Sequence, residues 1–219
     1  MSQDGLRASV VIVDDDAEVR GSLDSLMRSA GYTVESHDST ARFLEAGRPA
    51  GPACLVLDVR LPGENGLDFQ ERLNTLGITI PVILITGHGD IPMTVRGMRA
   101  GAIDFLPKPF SDEQMLAAVE QALDRDREAQ AAAADGARLK TLYEELTKRE
   151  REVMSLVITG LMNKQVAARL SLSEITVKIH RGNVMRKMQA QSLADLVRMA
   201  EQLGIRDETI HRFATPEQA

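Results

Sequence analysis

Short apolar runs recur along the first half of the chain, and four of them end on polar groups. Val10–Val13 leads into Asp14 and Asp15, Cys54–Leu57 into Asp58, Val82–Ile85 into Thr86, and Ile103–Leu106 through Pro107 to Lys108. Runs of this length suit strands buried on both faces. Between them, apolar residues return at helical spacing over Ala17–Ala30, Ser39–Ala46, Gly66–Leu76 and Ile91–Ala100. A further helix opens at Ser111, where Ser111 and Gln114 stand at capping-box spacing. Strands and helices alternating in this way predict an α/β fold, a doubly wound five-stranded parallel sheet covered by helices. Ligands of such sheets sit at the carboxyl ends of the strands, near the topological switch point. Asp14, Asp15, Asp58, Thr86 and Lys108 are therefore expected along one edge.

The second half changes pattern. Leu116, Val119 and Leu123 carry the last helix into a charged, alanine-rich stretch that favours a helical linker. Gly136 interrupts it at a cost of about 1 kcal/mol. Leu139, Leu142, Tyr143 and Leu146 then resume at helical spacing, as a stripe that pairs with a partner helix or packs on its own domain. Four short helices follow, with Thr147 and Glu150 as a capping box, Asn163 and Ser173 as N-caps, and Ser192 with Asp195 repeating the box. The loop at Gly160 and the turn at 170–173 give an all-α helix-turn-helix domain whose second helix opens at Ser173. On that helix Val177, Val184 and Met188 share a core face, while Ile175, Lys178, Ile179, Gly182 and Arg186 share the opposite one. The expected division is 8–124 for the α/β domain, 125–146 for the linker, 147–208 for the helical domain and 209–219 for a tail.

Charge separates the halves further. Residues 1–125 hold 11 Lys+Arg against 19 Asp+Glu, and residues 147–219 hold 12 against 8, within a chain of 219 residues and net charge −6. Between Gly160 and Ala190, Lys164, Arg169, Lys178, Arg181, Arg186 and Lys187 face Glu174 alone. A basic, partly apolar outer helix face suits the major groove of DNA, where Lys reaches guanine and Ile a thymine methyl. The lone Cys54 has no disulfide partner within the chain and reads as small apolar packing. The polar N-terminus and the short apolar run after it fit neither a signal peptide nor a membrane span, so a cytoplasmic protein without membrane contact is expected.

The strand ends carry the chemistry of phosphoryl transfer. Two carboxylates about 5 Å apart repel by about 3 kcal/mol at an effective dielectric of about 20, so Asp14, Asp15 and Asp58 together call for a cation. Oxygen ligands alone favour Mg²⁺, with Mn²⁺ as a substitute. Asp58 is the candidate nucleophile, Lys108 a point charge for a phosphoryl oxygen and Thr86 a hydroxyl donor.

VIVDDD, LVLDVRLPGENG, VILITGHGD and GAIDFLPKPF resemble the receiver domain of two-component response regulators. The resemblance implies flavodoxin-like strand order, with Asp58 as phosphoacceptor and Asp15 as direct metal ligand. It also implies Asp14 ligating through water, the backbone carbonyl of Arg60 as a further ligand, Thr86 and Phe105 as a switch pair, and Lys108 as phosphate clamp. The Lys108–Pro109 bond is a cis candidate. Arg60 and His88, two beyond Asp58 and Thr86, are candidates for tuning the lifetime of the acyl phosphate.

LTKREREV, GLMNKQVAARLSLSEITVKIHRGNVMRKM and SLADL resemble the LuxR-type DNA-binding domain. The pairing is similar to the NarL/FixJ class, and within it to FixJ- and StyR-like regulators. It implies a recognition helix at about Ser173–Met188. The candidate DNA contacts are Lys164, Ser173, Thr176, Lys178, Ile179, Arg181, Arg186 and Lys187, and the candidate dimer contacts are Leu193, Leu196, Val197 and Ala200. Gly182 departs from relatives that carry a larger residue there. The implied partners are a sensor histidine kinase, double-stranded promoter DNA, a second copy of the chain on activation, and RNA polymerase. The implied outcome is control of transcription, in the direction of activation, by a protein that is not an enzyme. An aspartyl-phosphate phosphatase is disfavoured because Arg60 stands where such enzymes need a second Asp. A small-ligand sensor is disfavoured because 3% aromatic content and no Trp make poor material for its pocket.

Overall fold

A computed structural model describes residues 7–87 and 90–205. The chain divides into two compact units between Gln130 and Ala131. The first contains β1 (Ser9–Val13), α1 (Ala17–Ser29), β2 (Thr33–His37), α2 (Thr40–Ala46) and β3 (Ala53–Asp58). A short ribbon of two-residue strands, β4 (Arg60–Leu61) with β5 (Glu64–Asn65), follows, then α3 (Gly66–Thr75), β6 (Val82–Thr86), α4 (Ile91–Arg99), β7 (Asp104–Pro107) and the first part of α5 (Asp112–Glu144). The main sheet runs β2-β1-β3-β6-β7, parallel throughout. This is the doubly wound, flavodoxin-like order expected from the sequence, with its switch point between β1 and β3.

Alternation along the strands splits the core in two. Val10, Ile12, Cys54, Val56, Ile83 and Ile85 pack on one side against α1 and α5. Val11, Val13, Leu55, Leu57 and Leu84 pack on the other with Phe43, Phe69 and Phe105. Helix starts are fixed by short polar side chains: Asp16 accepts from Glu18 N and Val19 N, Asn65 from Leu67 N, and Asp90 from Met93 N. Ser111 and Gln114 close a reciprocal capping box at 2.9 and 3.2 Å.

Helix α5 passes through Gly136 without a break, so the glycine lowers the helix propensity there without ending the helix. Four consecutive alanines before Gly136, the strongest helix formers, offset its low propensity. The first unit also holds the chain beyond residue 124. Asp126, fully buried, accepts from Ala53 N at 2.8 Å, Arg48 Nη2 at 2.6 Å and Gln130 Nε2 at 2.7 Å.

The second unit comprises the end of α5, then α6 (Lys148–Val157), α7 (Asn163–Leu170), α8 (Glu174–Lys187) and α9 (Leu193–Gln202). Leu142, Tyr143 and Leu146 pack on its own core, which resolves the linker stripe in favour of self-packing. Val177, Val184 and Met188 are buried as expected. Thr147 and Glu150 close a capping box at 3.3 and 2.8 Å. The expected cap at Asn163 is displaced. Met162 holds the N-cap position, its backbone N–H donating to Gln165 Oε1 at 2.8 Å. Asn163 Oδ1 instead accepts from Arg181 Nη1 at 3.1 Å, which ties α7 to α8. Among the described residues no helix is long and apolar enough to cross a membrane.

Candidate functional site

The carboxyl edge of the sheet gathers the predicted groups. Asp14 follows β1, Asp58 and Thr86 end β3 and β6, and Lys108 follows β7. Parallel pairing in register places Asp58 opposite Ile85 and Thr86 opposite Pro107, so the strand ends finish level. Asp14 and Asp58 are 1% and 5% exposed. Lys108 Nζ donates to Asp14 Oδ2 at 2.7 Å and to Asp58 Oδ1 at 3.0 Å, and so holds the two carboxylates through one ammonium. The backbone fixes each partner. Asp58 Oδ2 accepts from Arg60 N at 2.7 Å, Asp14 Oδ1 from Asp16 N at 2.9 Å, and Thr86 O from Lys108 N at 2.7 Å. The Lys108–Pro109 bond is cis.

Electrostatics follow from this arrangement. Burial raises the Asp58 carboxyl and Asp14 adds to the rise, against the hydrogen bond and charge of Lys108 and the bond from Arg60 N, leaving it above the ordinary carboxylate value. Burial alone would lower Lys108, but its bonds to Asp14 and Asp58 outweigh burial and hold it above its ordinary value.

The expected cluster of three carboxylates does not form as such. Among the described residues no group of three His, Cys, Asp or Glu is arranged to hold a metal ion. Lys108 occupies one oxygen each of Asp14 and Asp58, while Asp15 is exposed and lines a shallow cavity of about 450 Å³ with the 59–65 loop. Asp15, Asp58 and the Arg60 carbonyl still offer only hard oxygen donors, which fits a small divalent cation. Arg60 is exposed beside that cavity. His88 lies outside the described residues.

Phe105, the second switch candidate, is buried with its ring inward, against Gly97 of α4. Sequence reasoning missed three supports of this edge. A Cβ on Gly66 would fall 2.3 Å from Asp58 O, so the first residue of α3 has to be glycine for α3 to sit against the end of β3. A Cβ on Gly97 would fall 2.5 Å from Leu84 Cδ1 and 3.5 Å from Phe105 Cδ2. Arg20 Nη1 donates to Asp14 O at 2.7 Å. The glycine in the loop sequence PGENG was the one available signal.

In the second unit, helix α8 presents Ile175, Lys178, Ile179, Gly182 and Arg186 outward, as expected. Among the described residues neither Lys178 nor Arg186 has an ion-pair partner. Lys164 is exposed on α7. Ser173 caps α8, accepting from Thr176 N at 3.1 Å and sharing a 2.8 Å bond with the Thr176 hydroxyl. Two expectations need correction. Lys187 is committed inside the unit, donating to the buried Glu150 carboxylate at 2.7 Å and to Glu145 O at 3.2 Å, because it projects from the last turn of α8 over the start of α6. Leu196 and Ala200, expected on a dimer face, are 0% and 1% exposed within the unit's own core, and only Leu193 and Val197 remain partly exposed. The apolar stripe of α9 faces inward because a four-helix unit of this size needs it for its core.

A flavodoxin-like sheet with two acidic strand ends clasped by a lysine, joined to a basic helix-turn-helix unit, defines the class of two-component response regulators that carry a DNA-binding output domain. Comparison with known proteins agrees. Residues 10–120 match the family described as response regulator receiver domain, and residues 144–200 match the family described as bacterial regulatory proteins, luxR family. The chain is 57% identical over 199 residues to nodulation protein W of Bradyrhizobium diazoefficiens, covering 91% of this chain and 88% of that one. It is 48% identical to the response regulator protein TodT of Pseudomonas putida, covering 90% and 87%. Among solved structures, the response regulator StyR superposes with a TM-score of 0.80 at 49% identity, over 90% of this chain and 100% of that one. Full-length FixJ from B. japonicum gives 0.54 at 39% identity, over 91% and 98%. The chain belongs to the family of response regulators that join a receiver to a LuxR-type DNA-binding domain.

Proposed function

We propose that this regulator is switched by phosphorylation of Asp58 by a partner sensor histidine kinase. The observation that carries the reading is the single ammonium of Lys108 held between Asp14 and Asp58. An Asp58 oxygen forms the new bond to phosphorus as the phosphorus–nitrogen bond of the donor phosphohistidine breaks. Lys108, already 3.0 Å from Asp58 Oδ1, supplies a fixed positive charge beside the incoming group. Asp15, Asp58 and the carbonyl of Arg60 would hold Mg²⁺, or Mn²⁺ in its place, with Asp14 acting through water. When bound, the ion would neutralise developing charge on the phosphoryl oxygens. Thr86 and Phe105 read the modified state, and Arg60 and His88 set how long it lasts.

Activation then favours a homodimer that presents two basic helices to a two-fold promoter site and brings RNA polymerase to it, raising transcription. Lys164, Lys178, Ile179, Arg181 and Arg186 are the groups proposed to face DNA, with Ser173 and Thr176 at the helix start. Leu193 and Val197 are the residues of the original dimer stripe left to meet a partner. The receiver is read as keeping hold of the chain through Gln130, with 131–146 as linker, 147–208 as DNA-binding domain and 209–219 as tail. The protein is read as cytoplasmic, and as a regulator that assists phosphoryl transfer only to and from its own Asp58.

Labelling with a small acyl phosphate donor and Mg²⁺ tests this. Asp58→Ala should abolish labelling with the circular dichroism spectrum unchanged, and full labelling of that variant would overturn the assignment. DNA binding should weaken steeply with salt as phosphate contacts release counterions, and salt-independent binding would refute the proposed face.

A further inference from the structure

The outward face of α8 has an unusual centre. Ile175 and Ile179 are 74% and 59% exposed, a large apolar area for a helix surface in contact with water. Gly182 lies on the same face, two turns beyond Ile175 and nearly in line with it. A Cβ there would meet nothing within 4 Å, so no packing contact in the unit requires glycine. Glycine in a helix interior is destabilising relative to alanine, and the usual structural reason for it is close approach of another body to the backbone. At 100° per residue, Ile175, Gly182 and Arg186 lie nearly on one line, with Ile179 on one flank and Lys178 on the other. The face is therefore a shallow apolar saddle with cations at its rim. Exposed Lys178 and Arg186, together with Lys164 on α7, favour a polyanion over a protein surface as what covers it.

Resting on the reading of α8 as the helix that enters the major groove, we propose that Ile175, Ile179 and the bare backbone of Gly182 receive thymine 5-methyl groups, which makes Ile175 a specificity-determining residue. The thymine methyl is the only apolar group the major-groove edge of a base pair offers, and exposed aliphatic side chains are its natural complement. The missing side chain at Gly182 lets the helix axis sit close enough for both isoleucines to touch the base edges. Lys178 and Arg186 then anchor the helix on phosphates or guanine.

The test starts with duplexes selected from a random pool by the phosphorylated full-length protein. The selected site is resynthesised with deoxyuridine replacing thymidine one position at a time, which removes the methyl and leaves pairing intact. At one or two positions in each half-site, affinity should fall about fourfold, the size expected for burying one methyl group. Ile175→Ala should lose that discrimination at one of them, while Lys178→Ala should bind more weakly overall and keep it. Gly182→Ala should unfold at the same or a higher temperature, since its Cβ enters open space, yet bind both duplexes more weakly. Equal binding of thymidine and deoxyuridine duplexes overturns the proposal, as does undiminished discrimination by Ile175→Ala or undiminished affinity of Gly182→Ala. A pool from which nothing is enriched overturns the DNA-facing reading of α8 and this inference with it. Enrichment without methyl dependence overturns the inference alone.

Discussion

Lys187→Met separates a structural lysine from a DNA-binding one. Glu150 is 4% exposed, and its carboxylate takes Lys187 Nζ at 2.7 Å and Thr147 N at 2.8 Å. Removing the ammonium leaves a buried carboxylate held by a single backbone donor. Breaking a buried pair from one side costs about 3–5 kcal/mol. The Lys187 side chain is 24% exposed, so water recovers part of this and about 2 kcal/mol is expected. For a domain of this size that lowers the helical unit's unfolding midpoint by about 10 °C, read from the full-length protein by calorimetry. Acid should shrink the deficit. In the native protein burial pushes Glu150 up, but the bonds from Lys187 and Thr147 outweigh it and hold the carboxyl below its ordinary range. A group held low adds stability that is present above its unfolded value and lost as pH falls through the folded one. In Lys187→Met burial is opposed by the cap alone, the carboxyl rises, and protonation relieves the variant, so the two proteins converge as pH falls through the carboxylate range. The salt slope of DNA binding should stay unchanged. The reasoning fails if the midpoint holds while affinity drops and the slope falls by about one, which is the signature of a lost phosphate contact.

Three further outcomes follow from packing. Gly66→Ala forces a Cβ to within 2.3 Å of Asp58 O, so it should destabilise the receiver by about 3 kcal/mol and slow acyl phosphate labelling, measured together by denaturant melts and labelling rates. Asp126→Ala leaves Ala53 N–H and the Arg48 guanidinium without their buried acceptor and should cost about 3 kcal/mol in the same melts, with labelling of the folded fraction intact. Gly97→Ala meets the methyl ends of Leu84 and Leu67 and only an ordinary contact with the Phe105 ring, so a smaller loss of about 1–2 kcal/mol is expected, and the variant should still be labelled at Asp58.

The central strands were legible because they are buried on both faces and read as unbroken apolar runs. Strand β2 was not, because it lies at the sheet edge, where Thr33 is exposed, Val34 buried, Glu35 half-buried and Ser36 exposed. Such a mixed run carries no clear period. Asn163 misled for a related reason. Its side chain is a good cap by type, yet Arg181, 18 residues on, takes its carbonyl and the helix begins one residue earlier. Leu196 and Ala200 show that an apolar stripe identifies a buried face without saying what buries it.

Charges were harder still, because the role of a charge is set by a partner that sequence spacing does not reveal. Lys108 was expected to clamp a phosphoryl group, and its resting partners are Asp14 and Asp58, 94 and 50 residues away. Lys187 counted toward a basic face, but its partner Glu150 lies 37 residues back. Asp126 fell in what read as linker, and it binds Ala53 N, 73 residues back. Ala53 opens β3 and Asp58 closes it, so one strand is gripped at its start by α5 and carries the proposed phosphoacceptor at its end, with Gly66 of α3 pressed against the last carbonyl. A strand fixed at both ends transmits little displacement along its length, since packed interiors are stiff. Under the proposed phosphorylation of Asp58, the change would pass to the neighbouring strands, β6 with Thr86 and β7 with Phe105, beside α4, whose contact with the sheet is built on Gly97 as that of α3 is on Gly66.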